Sequence, residues 1–310
     1  HGLIPQPVGP AAKEIGDRWF PLFRWFRNRQ WVLTPHALQT DAEVAANLYR
    51  VPDGNYVVPM TLASPRSAEA TEASSRARFG IGVNVRVEDG GQVRAVYLLT
   101  PGVLGYHKLP FQCLKGTLSV TVPRLNVAGL LVLAKSGVFA ALDGPPSVVR
   151  GSSARIRLTV DNWTAATVPA TLTLQDQTTS CQLPPGKSAQ VGATVAVPAE
   201  ATTQRLALRT AAKVGDADLG GMAEVWTDDP LVLQVAAPPN ARDDQTADVK
   251  VTLLSHAGKG ANVRIEPASP AMTFQPASRT VAVTPEQPLT ATFAAKPNRA
   301  GSAVVQVTAS

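Results

Sequence analysis

The sequence has few cysteines, few aromatic residues and few charged side chains. Only 17% of the 310 residues are charged and 5% are aromatic, while 45% are hydrophobic, so the chain is expected to be globular rather than disordered. The two cysteines, Cys113 and Cys181, are too few and too far apart to form the disulfide framework of a small secreted domain. A single bridge between them would require an oxidising compartment, and the more common role of a strand cysteine is that of a small buried hydrophobic residue.

Long apolar runs and catalytic motifs are also missing. No stretch reaches the roughly 20 apolar residues that a membrane-spanning helix needs. The four histidines (His1, His36, His107 and His256) are scattered, and no motif of a zinc site, a phosphate-binding loop or a serine nucleophile is present. The acidic residues lie in turns and do not resemble the paired carboxylates of a glycosidase. We therefore expect no catalytic residue and no cofactor in this chain.

The net positive charge of the chain comes entirely from its first part. Residues 1–140 carry 15 Lys and Arg against 9 Asp and Glu, whereas residues 141–310 carry 14 of each. The one dense run is Arg24, Arg27 and Arg29, which lies among aromatic residues. It is best explained by cations that flank an apolar segment and stack on its rings, and a nucleic-acid partner is not expected.

Short β-strands separated by turn residues dominate the remainder. Residues 52–55 (PDGN), 89–91 (DGG) and 215–218 (GDAD) are typical hairpin turns. The pattern predicts an all-β protein built from tandem antiparallel, immunoglobulin-like β-sandwich domains, with a short N-terminal aromatic and helical strap. The predicted strands cover residues 31–33, 45–51, 56–62, 80–87, 93–99, 109–114, 117–122, 129–133, 154–160, 170–174, 189–197, 205–213, 223–227, 231–235, 247–254, 262–266, 280–283, 289–294 and 303–307.

Composition divides the chain into four parts. Residues 1–29 form the strap, which we interpret as the remnant of a junction with an upstream domain, because the sequence begins without Met and without a signal peptide. A first sandwich is predicted over 30–140, a second over 145–235, and a third, small or truncated, over 240–310. Proline-rich linkers are predicted at 141–146 and 236–240, and a mobile polar loop at 64–75.

The strap carries an unusual aromatic load. Ile15, Trp19, Phe23 and Phe26 are spaced as on one face of a helix, which Pro21 would kink or end. Too many rings lie here for a free tail, so we expect the strap to pack on the first sandwich or on an upstream domain rather than to form a ligand site. The candidate docking residues are Trp19, Phe20, Phe23, Trp25, Phe26 and Trp31.

Two further candidate sites rest on weaker patterns. Trp163 and Trp226 could stack on a sugar ring, although each is more typical of a core position. Asp216, Asp218, Asp228 and Asp229 could supply oxygen ligands to Ca²⁺, but their spacing matches no defined calcium loop.

The strap and the first sandwich resemble parts of a known family. Residues 19–24 (WFPLFR) and 29–38 (RQWVLTPHAL) resemble the junction in bacterial glycoside-hydrolase-like proteins, where a C-terminal β-sandwich follows the catalytic (β/α)8 barrel. Residues 46–51, 54–59 and 121–124 are similar to parts of that sandwich. Residues 145–235 are similar to the immunoglobulin-like modules appended to such enzymes, in the segment 151–154, Asn162 and the segment 183–189. The resemblance implies that the catalytic carboxylates lie in a barrel that this chain does not contain.

These observations lead to one principal hypothesis and two alternatives. The principal hypothesis is a non-catalytic C-terminal region of a secreted glycoside hydrolase, which packs on the upstream barrel of the same polypeptide and spaces or docks it. The alternatives are a module that binds carbohydrate or a cell surface, and a structural, adhesin-like stalk. The class implies an extracellular, periplasmic or cell-surface location, with polysaccharide as a candidate partner.

Overall fold

The computed structural model describes residues 10–41, 44–62, 77–219, 221–236, 245–255, 260–284, 287–298 and 304–309. These fall into two compact units. The first draws on His1–Val148, Ser153–Ala196 and Thr202–Trp226, and the second on Val149–Ser152, Val197–Ala201 and Thr227–Ser310. In the described part no helix is long and apolar enough to cross a membrane.

The first unit opens with helix α1 (Pro10–Phe23), which is followed by a 3-10 turn (Arg24–Phe26). A second 3-10 turn covers Gly90–Gln92. The strands that begin in this unit are β1 (Gln30–Trp31), β2 (Leu38–Thr40), β3 (Val44–Ala46), β4 (Tyr49–Arg50), β5 (Tyr56–Leu62), β6 (Arg78–Arg86), β7 (Ala95–Thr100), β8 (Val103–Leu109), β9 (Phe111–Leu114), β10 (Thr117–Leu125), β11 (Ala128–Ala134), β12 (Val138–Asp143), β13 (Ser147–Val149), β14 (Ser153–Asn162), β15 (Val168–Leu174), β16 (Gln177–Leu183), β17 (Lys187–Ala196), β18 (Arg205–Val214), β19 (Ala217–Asp218) and β20 (Gly221–Asp228).

Three sheets organise these strands. Sheet A follows the order β1-β4-β5-β11-β7-β8-β12-β14-β17, with β3 also on β5; sheet B follows β2-β6-β10-β9; sheet C follows β13-β20-β18-β15-β16, with β19 on β18. Within sheet A, β8 and β12 run parallel, and Ala141 lies opposite Tyr106.

Alternation along the central strands of sheet A places a core on each of its faces. In β11 every residue from Ala128 to Ala134 is buried, so its continuous apolar run is required by burial on both sides. Leu131 and Leu133 join Val83 and Leu118 of sheet B in the core of the first sandwich. Leu130 and Val132 belong to a second cluster on the opposite face.

The second cluster is largely aromatic. It contains Tyr97 and Phe139, whose rings stack with centroids 4.7 Å apart, and it is covered by Leu22, Trp25 and Phe26 from the N-terminal segment. The strap is therefore an integral layer of the first unit and contributes side chains to one of its cores.

A second sandwich in the first unit uses the far end of sheet A. Strands β14 and β17 pair along their whole length from Ser153 to Asn162, and β15 of sheet C packs against both. The buried apolar residues occupy alternate positions, with Ile156, Leu158 and Val160 on β14 and Leu172 and Leu174 on β15.

The second unit is a sandwich of its own. Its strands are β21 (Leu231–Ala236), β22 (Ala247–Ser255), β23 (Ala261–Ala268), β24 (Met272–Gln275), β25 (Arg279–Val283), β26 (Leu289–Pro297) and β27 (Gln306–Ala309). Sheet D, in the order β21-β22-β26-β24, and sheet E, in the order β25-β23-β27, enclose a core that includes Val251, Ile265, Phe274 and Phe293.

The predicted fold class is confirmed, because the described chain consists of β-sandwiches with a helical N-terminal strap, and its strand pairs are antiparallel apart from β8 and β12. The hairpin turns at 52–55 and 215–218 are also correct, with Gly54 and Gly215 at φ of +84° and +58°. The division at 30–140, 145–235 and 240–310 stays a prediction. The loop 64–75, linker residues 237–240, residue 303, His1 and His256 lie outside the described residues.

Several local expectations were wrong. Residues 141–143 belong to strand β12, in which Ala141 and Leu142 are buried, and are not a linker. Residues 89–91 connect β6 of sheet B to β7 of sheet A and do not form a hairpin. Cys113 and Cys181 are free and exposed rather than buried, because each lies on a strand at the edge of its sheet, β9 and β16.

Candidate functional site

Helix α1 and the 3-10 turn after it present two different faces. Leu22 is only 5% exposed, and Trp25 packs on Phe139 in a stacked arrangement. Phe20 and Phe23, which lie three positions apart on the other side of the helix, are 71% and 54% exposed. The predicted stripe was therefore displaced, since Phe23 faces outward. The side chain of Ile15 lies outside the described residues.

The helix is held by a buried ion pair. The guanidinium of Arg18 donates to both carboxylate oxygens of Glu224 on β20, at 2.8 and 3.0 Å, and each side chain is only 11% exposed. Glu224 also accepts a hydrogen bond from the backbone N–H of Leu104 at 3.1 Å. Burial alone would raise the pKa of Glu224, but the bonds from Arg18 and Leu104 and the charges of Arg18 and Arg205 hold that pKa below its ordinary value.

Three exposed arginines follow the helix. Arg24 lies over the rings of Trp25 and Tyr106 and donates to the Tyr106 hydroxyl, and Arg29 lies over Phe26. Neither these two nor Arg27 forms an ion pair with a carboxylate in the described part of the chain. The exposed rings of α1 are thus followed in the sequence by three arginines whose charge no carboxylate in the described chain neutralises.

A cleft of about 740 Å³ lies in the first unit beside the same segment. Trp25, Tyr106 and Phe139 line it together with the side chains of Arg24 and Asp17. Burial raises the pKa of Tyr106, since Arg24 and the Trp25 indole N–H offset that effect only in part. The rings contact one another at centroid distances of 6.1 to 6.2 Å, so they form a cluster and not a row of free platforms.

Trp163 closes a buried polar network. Its indole N–H donates to the hydroxyl of Tyr97 at 3.1 Å, and that hydroxyl donates to the fully buried carboxylate of Asp161 at 2.6 Å. Lys108 donates to both oxygens of Asp161 at 2.8 Å, and Ser188 donates to the same carboxylate. Burial, and then the charge of Asp161, raise the pKa of Tyr97. Trp163 is half-buried and serves this network.

Trp226 is 6% exposed and one of its faces is covered. The guanidinium carbon of Arg124 lies 4.0 Å from the indole centroid. Trp226 lines an apolar cavity of about 260 Å³ together with His107, whose Nε2 has no hydrogen-bond partner in the described chain. Burial lowers the pKa of His107 to about 4.

The four candidate calcium ligands belong to two different parts of the chain. Asp216 and Asp218 belong to the first unit, at the β18–β19 turn, while Asp228 and Asp229 belong to the second, where Arg150 pairs with Asp229. No group of three or more His, Cys, Asp or Glu side chains able to hold a metal ion occurs within the described ranges.

Trp31 lies apart from the helical rings. It occupies the edge strand β1, is 59% exposed and contacts Tyr49 with ring centroids 5.5 Å apart. It lines a shallow groove of about 500 Å³ with Thr34, His36 and Asn47. The structure therefore separates the six candidate docking residues. Phe20 and Phe23 are exposed on α1, and the half-buried Trp19 stacks on Phe23. Trp25 and Phe26 face the core of the first unit, and Trp31 lies on β1.

Sequence reasoning missed the residues that fix this arrangement. Arg18 and Glu224 are 206 positions apart, so no local pattern joins them. Asp161 and Asn162 stood out only as a strand end, yet both are fully buried, and the Asn162 amide donates to the carbonyls of Ala166 and Leu183.

Comparison with known proteins gives no family. No family model matches the chain, and no curated protein matches it. Similar solved structures include Escherichia coli α2-macroglobulin in its native conformation (TM-score 0.28, 9% identity, 88% of this chain), Salmonella α2-macroglobulin reacted with methylamine (0.28, 11%, 83%) and trypsin-activated α2-macroglobulin from Escherichia coli (0.26, 8%, 82%). The chain spans 27%, 23% and 27% of those proteins, about a quarter of their length.

Proposed function

We propose that this chain is a non-catalytic accessory region of a secreted carbohydrate-active enzyme, a glycoside hydrolase, and acts outside the cell or in the periplasm. In this proposal the outward face of α1, formed by Phe20 and Phe23, packs against the catalytic barrel of the same polypeptide. The observation that carries the proposal is the contrast within one helix, where Leu22 is 5% exposed and Phe20 is 71% exposed.

The helix that carries the exposed rings is fixed to the rest of the first unit. Arg18 fixes the helix to Glu224, and the other side of the segment is buried in the aromatic cluster of the first unit. Burying a phenylalanine side chain contributes about 1.5–3 kcal/mol, and a side chain on an already ordered helix loses little further entropy on binding. A covalently attached domain is also present at high effective concentration, so a small face is sufficient.

Charge adds a specific requirement for the partner. Arg24, Arg27 and Arg29 lie next in the sequence to the exposed rings and have no acidic partner in the described chain. A barrel surface with an apolar centre and acidic residues at its rim would complement both features. The resemblance of residues 19–24 and 29–38 to a junction that follows such a barrel agrees with this choice of partner.

Hydrogen exchange tests the proposal on whole proteins. Peptides covering Pro10–Phe23 are measured in this chain and in the full-length parent polypeptide, and the full-length protein is expected to exchange more slowly there. The double variant Phe20→Ser/Phe23→Ser should remove that additional protection. Leu114→Ser is the matched control, since Leu114 is 73% exposed on β9 and outside the helix.

Three outcomes contradict the proposal. They are equal exchange of the helix in both proteins, a parent gene without a barrel carrying paired carboxylates, and a dimer of this chain in sedimentation that the double variant abolishes. The last outcome would assign the helical face to self-association.

A further inference from the structure

The groove beside Trp31 has fixed walls. The backbone N–H of Val32 donates to Leu48 at 3.0 Å, and that of Asn47 donates to Pro59 at 3.2 Å. A turn closed by the bond from the N–H of Ala37 to Thr34, at 3.1 Å, forms another side of the groove. The groove is therefore shaped by backbone hydrogen bonds before any ligand enters.

One large ring in this groove is open to solvent. Trp31 remains 59% exposed although Tyr49 contacts it at an interplanar angle of 49°. An exposed indole offers a flat apolar π face on which the C–H face of a partner ring can pack. His36, in the same groove, has a φ of +57°, an uncommon conformation for a residue other than glycine.

Three polar side chains line the groove without internal partners. Thr34, His36 and Asn47 are exposed, and none forms a side-chain hydrogen bond within the described residues. By contrast, the hydroxyl of Thr40 already donates to the carbonyl of Val44 at 3.0 Å. An imidazole, an amide and a hydroxyl together offer both donors and acceptors.

No Asp, Glu, Lys or Arg lines the described part of this groove. An anionic ligand or a nucleic acid would find no cation there. A purely apolar ligand would cover three polar side chains and leave them unsatisfied. A neutral sugar fits these features, because it combines a C–H face for the indole with many hydroxyl groups for the polar side chains and carries no charge.

We propose that this groove is a subsite for a neutral sugar residue of a polysaccharide, with Trp31 as the stacking ring and Thr34, His36 and Asn47 as hydrogen-bonding partners. This inference does not rest on the packing of α1 against a barrel, because Phe20 and Phe23 do not line the groove. It also differs from a site at Trp163 or Trp226, whose rings are engaged within the protein.

Nuclear magnetic resonance of the whole chain tests the subsite. The indole N–H signal of Trp31 is assigned from the spectrum of Trp31→Phe. Cellohexaose, xylohexaose, mannohexaose, maltohexaose and laminarihexaose are then added separately, with oligogalacturonate as the charged probe. We expect at least one neutral hexaose to shift the Trp31 signal saturably with a millimolar Kd, while the signals of Trp163 and Trp226 stay in place.

Variants separate the subsite from a general surface effect. Binding by the variants is followed through the backbone amide signals of the groove, which remain when the indole is removed. Trp31→Ala should weaken binding by more than about tenfold, and His36→Ala and Asn47→Ala should each weaken it severalfold. Leu33→Ala is the matched control, because Leu33 is 79% exposed, lies two positions from Trp31 and does not line the groove.

Each contrary result overturns the proposal. These are a Trp31 signal unmoved by every neutral hexaose, a response to oligogalacturonate alone, and unchanged binding in Trp31→Ala. Loss of the additional helical protection in Phe20→Ser/Phe23→Ser would leave the sugar response intact, so failure of the two proposals can be distinguished.

Discussion

Arg18 and Glu224, which are 206 positions apart in the sequence, form a bidentate ion pair with N–O distances of 2.8 and 3.0 Å. Each side chain is only 11% exposed. Removing Arg18 leaves the buried Glu224 carboxylate with only the Leu104 N–H and the charge of Arg205, and breaking a comparable buried pair costs about 3–5 kcal/mol. Arg18→Met should therefore destabilise the first unit strongly. Arg18→Met/Glu224→Leu should recover much of the loss in urea unfolding, and additive losses would contradict the pairing.

The same pair predicts a pH dependence. Because the folded pKa of Glu224 lies below its ordinary value of 4.5, the pair stabilises the fold above that value, and this contribution is lost as the pH falls through the folded pKa. The difference in unfolding free energy between the wild type and Glu224→Gln should thus shrink in acid. A constant difference between pH 7 and pH 3 would show that Glu224 does not titrate in this way.

His107 predicts loss of stability at a higher pH. Burial lowers the pKa of His107 from 6.5 to about 4. Between these two pH values the unfolded chain therefore binds a proton on this side chain and the folded chain does not. Stability should fall over this window by up to about 3 kcal/mol. His107→Leu should flatten the profile there, as measured by urea unfolding at several pH values.

Two adjacent glycines in one 3-10 turn should respond differently to alanine. A Cβ on Gly90 would lie 2.6 Å from the backbone oxygen of Gly116, whereas a Cβ on Gly91 would meet nothing within 4 Å. Gly90→Ala should cost about 1–3 kcal/mol through overpacking against rigid backbone. Gly91→Ala should be neutral or slightly stabilising in the same unfolding assay. Equal effects would contradict the close approach of the turn to Gly116.

The reactivity of the two thiols tests whether the edge strands β9 and β16 are open to solvent. Cys113 and Cys181 are both free and exposed, so both should react with a thiol reagent in the folded protein. A titre of two thiols is expected without denaturant. A titre of zero, restored only by a reducing agent, would mean that the two cysteines are bridged.

The sequence predicted strands well where burial leaves a periodic pattern. β10 alternates buried and exposed residues through most of Thr117–Leu125, and β18 does so from Ala207 to Val214. β16 was missed because its polar residues lie on an edge strand with little buried surface. β12 was missed because its apolar residues run directly into Gly144, Pro145 and Pro146, which are typical of a linker.

The candidate sites were only partly predictable. The aromatic load around α1 is visible in the sequence, but which rings face outward depends on where Arg18 anchors the helix. The groove at Trp31 is lined by residues between 31 and 48, which short strands and the left-handed backbone of His36 bring together. The hydrophobic periodicity of the sequence does not predict such an arrangement.

The continuity of sheet A also bears on how such a protein can be rearranged during evolution. β12 pairs with β14 over six residues on one side and with β8 on the other, so the first and second sandwiches share one hydrogen-bonded sheet. A genetic break near residue 144 would leave an unpaired edge at β12 on one fragment and at β14 on the other. Recombination that preserves folding should therefore transfer both sandwiches together.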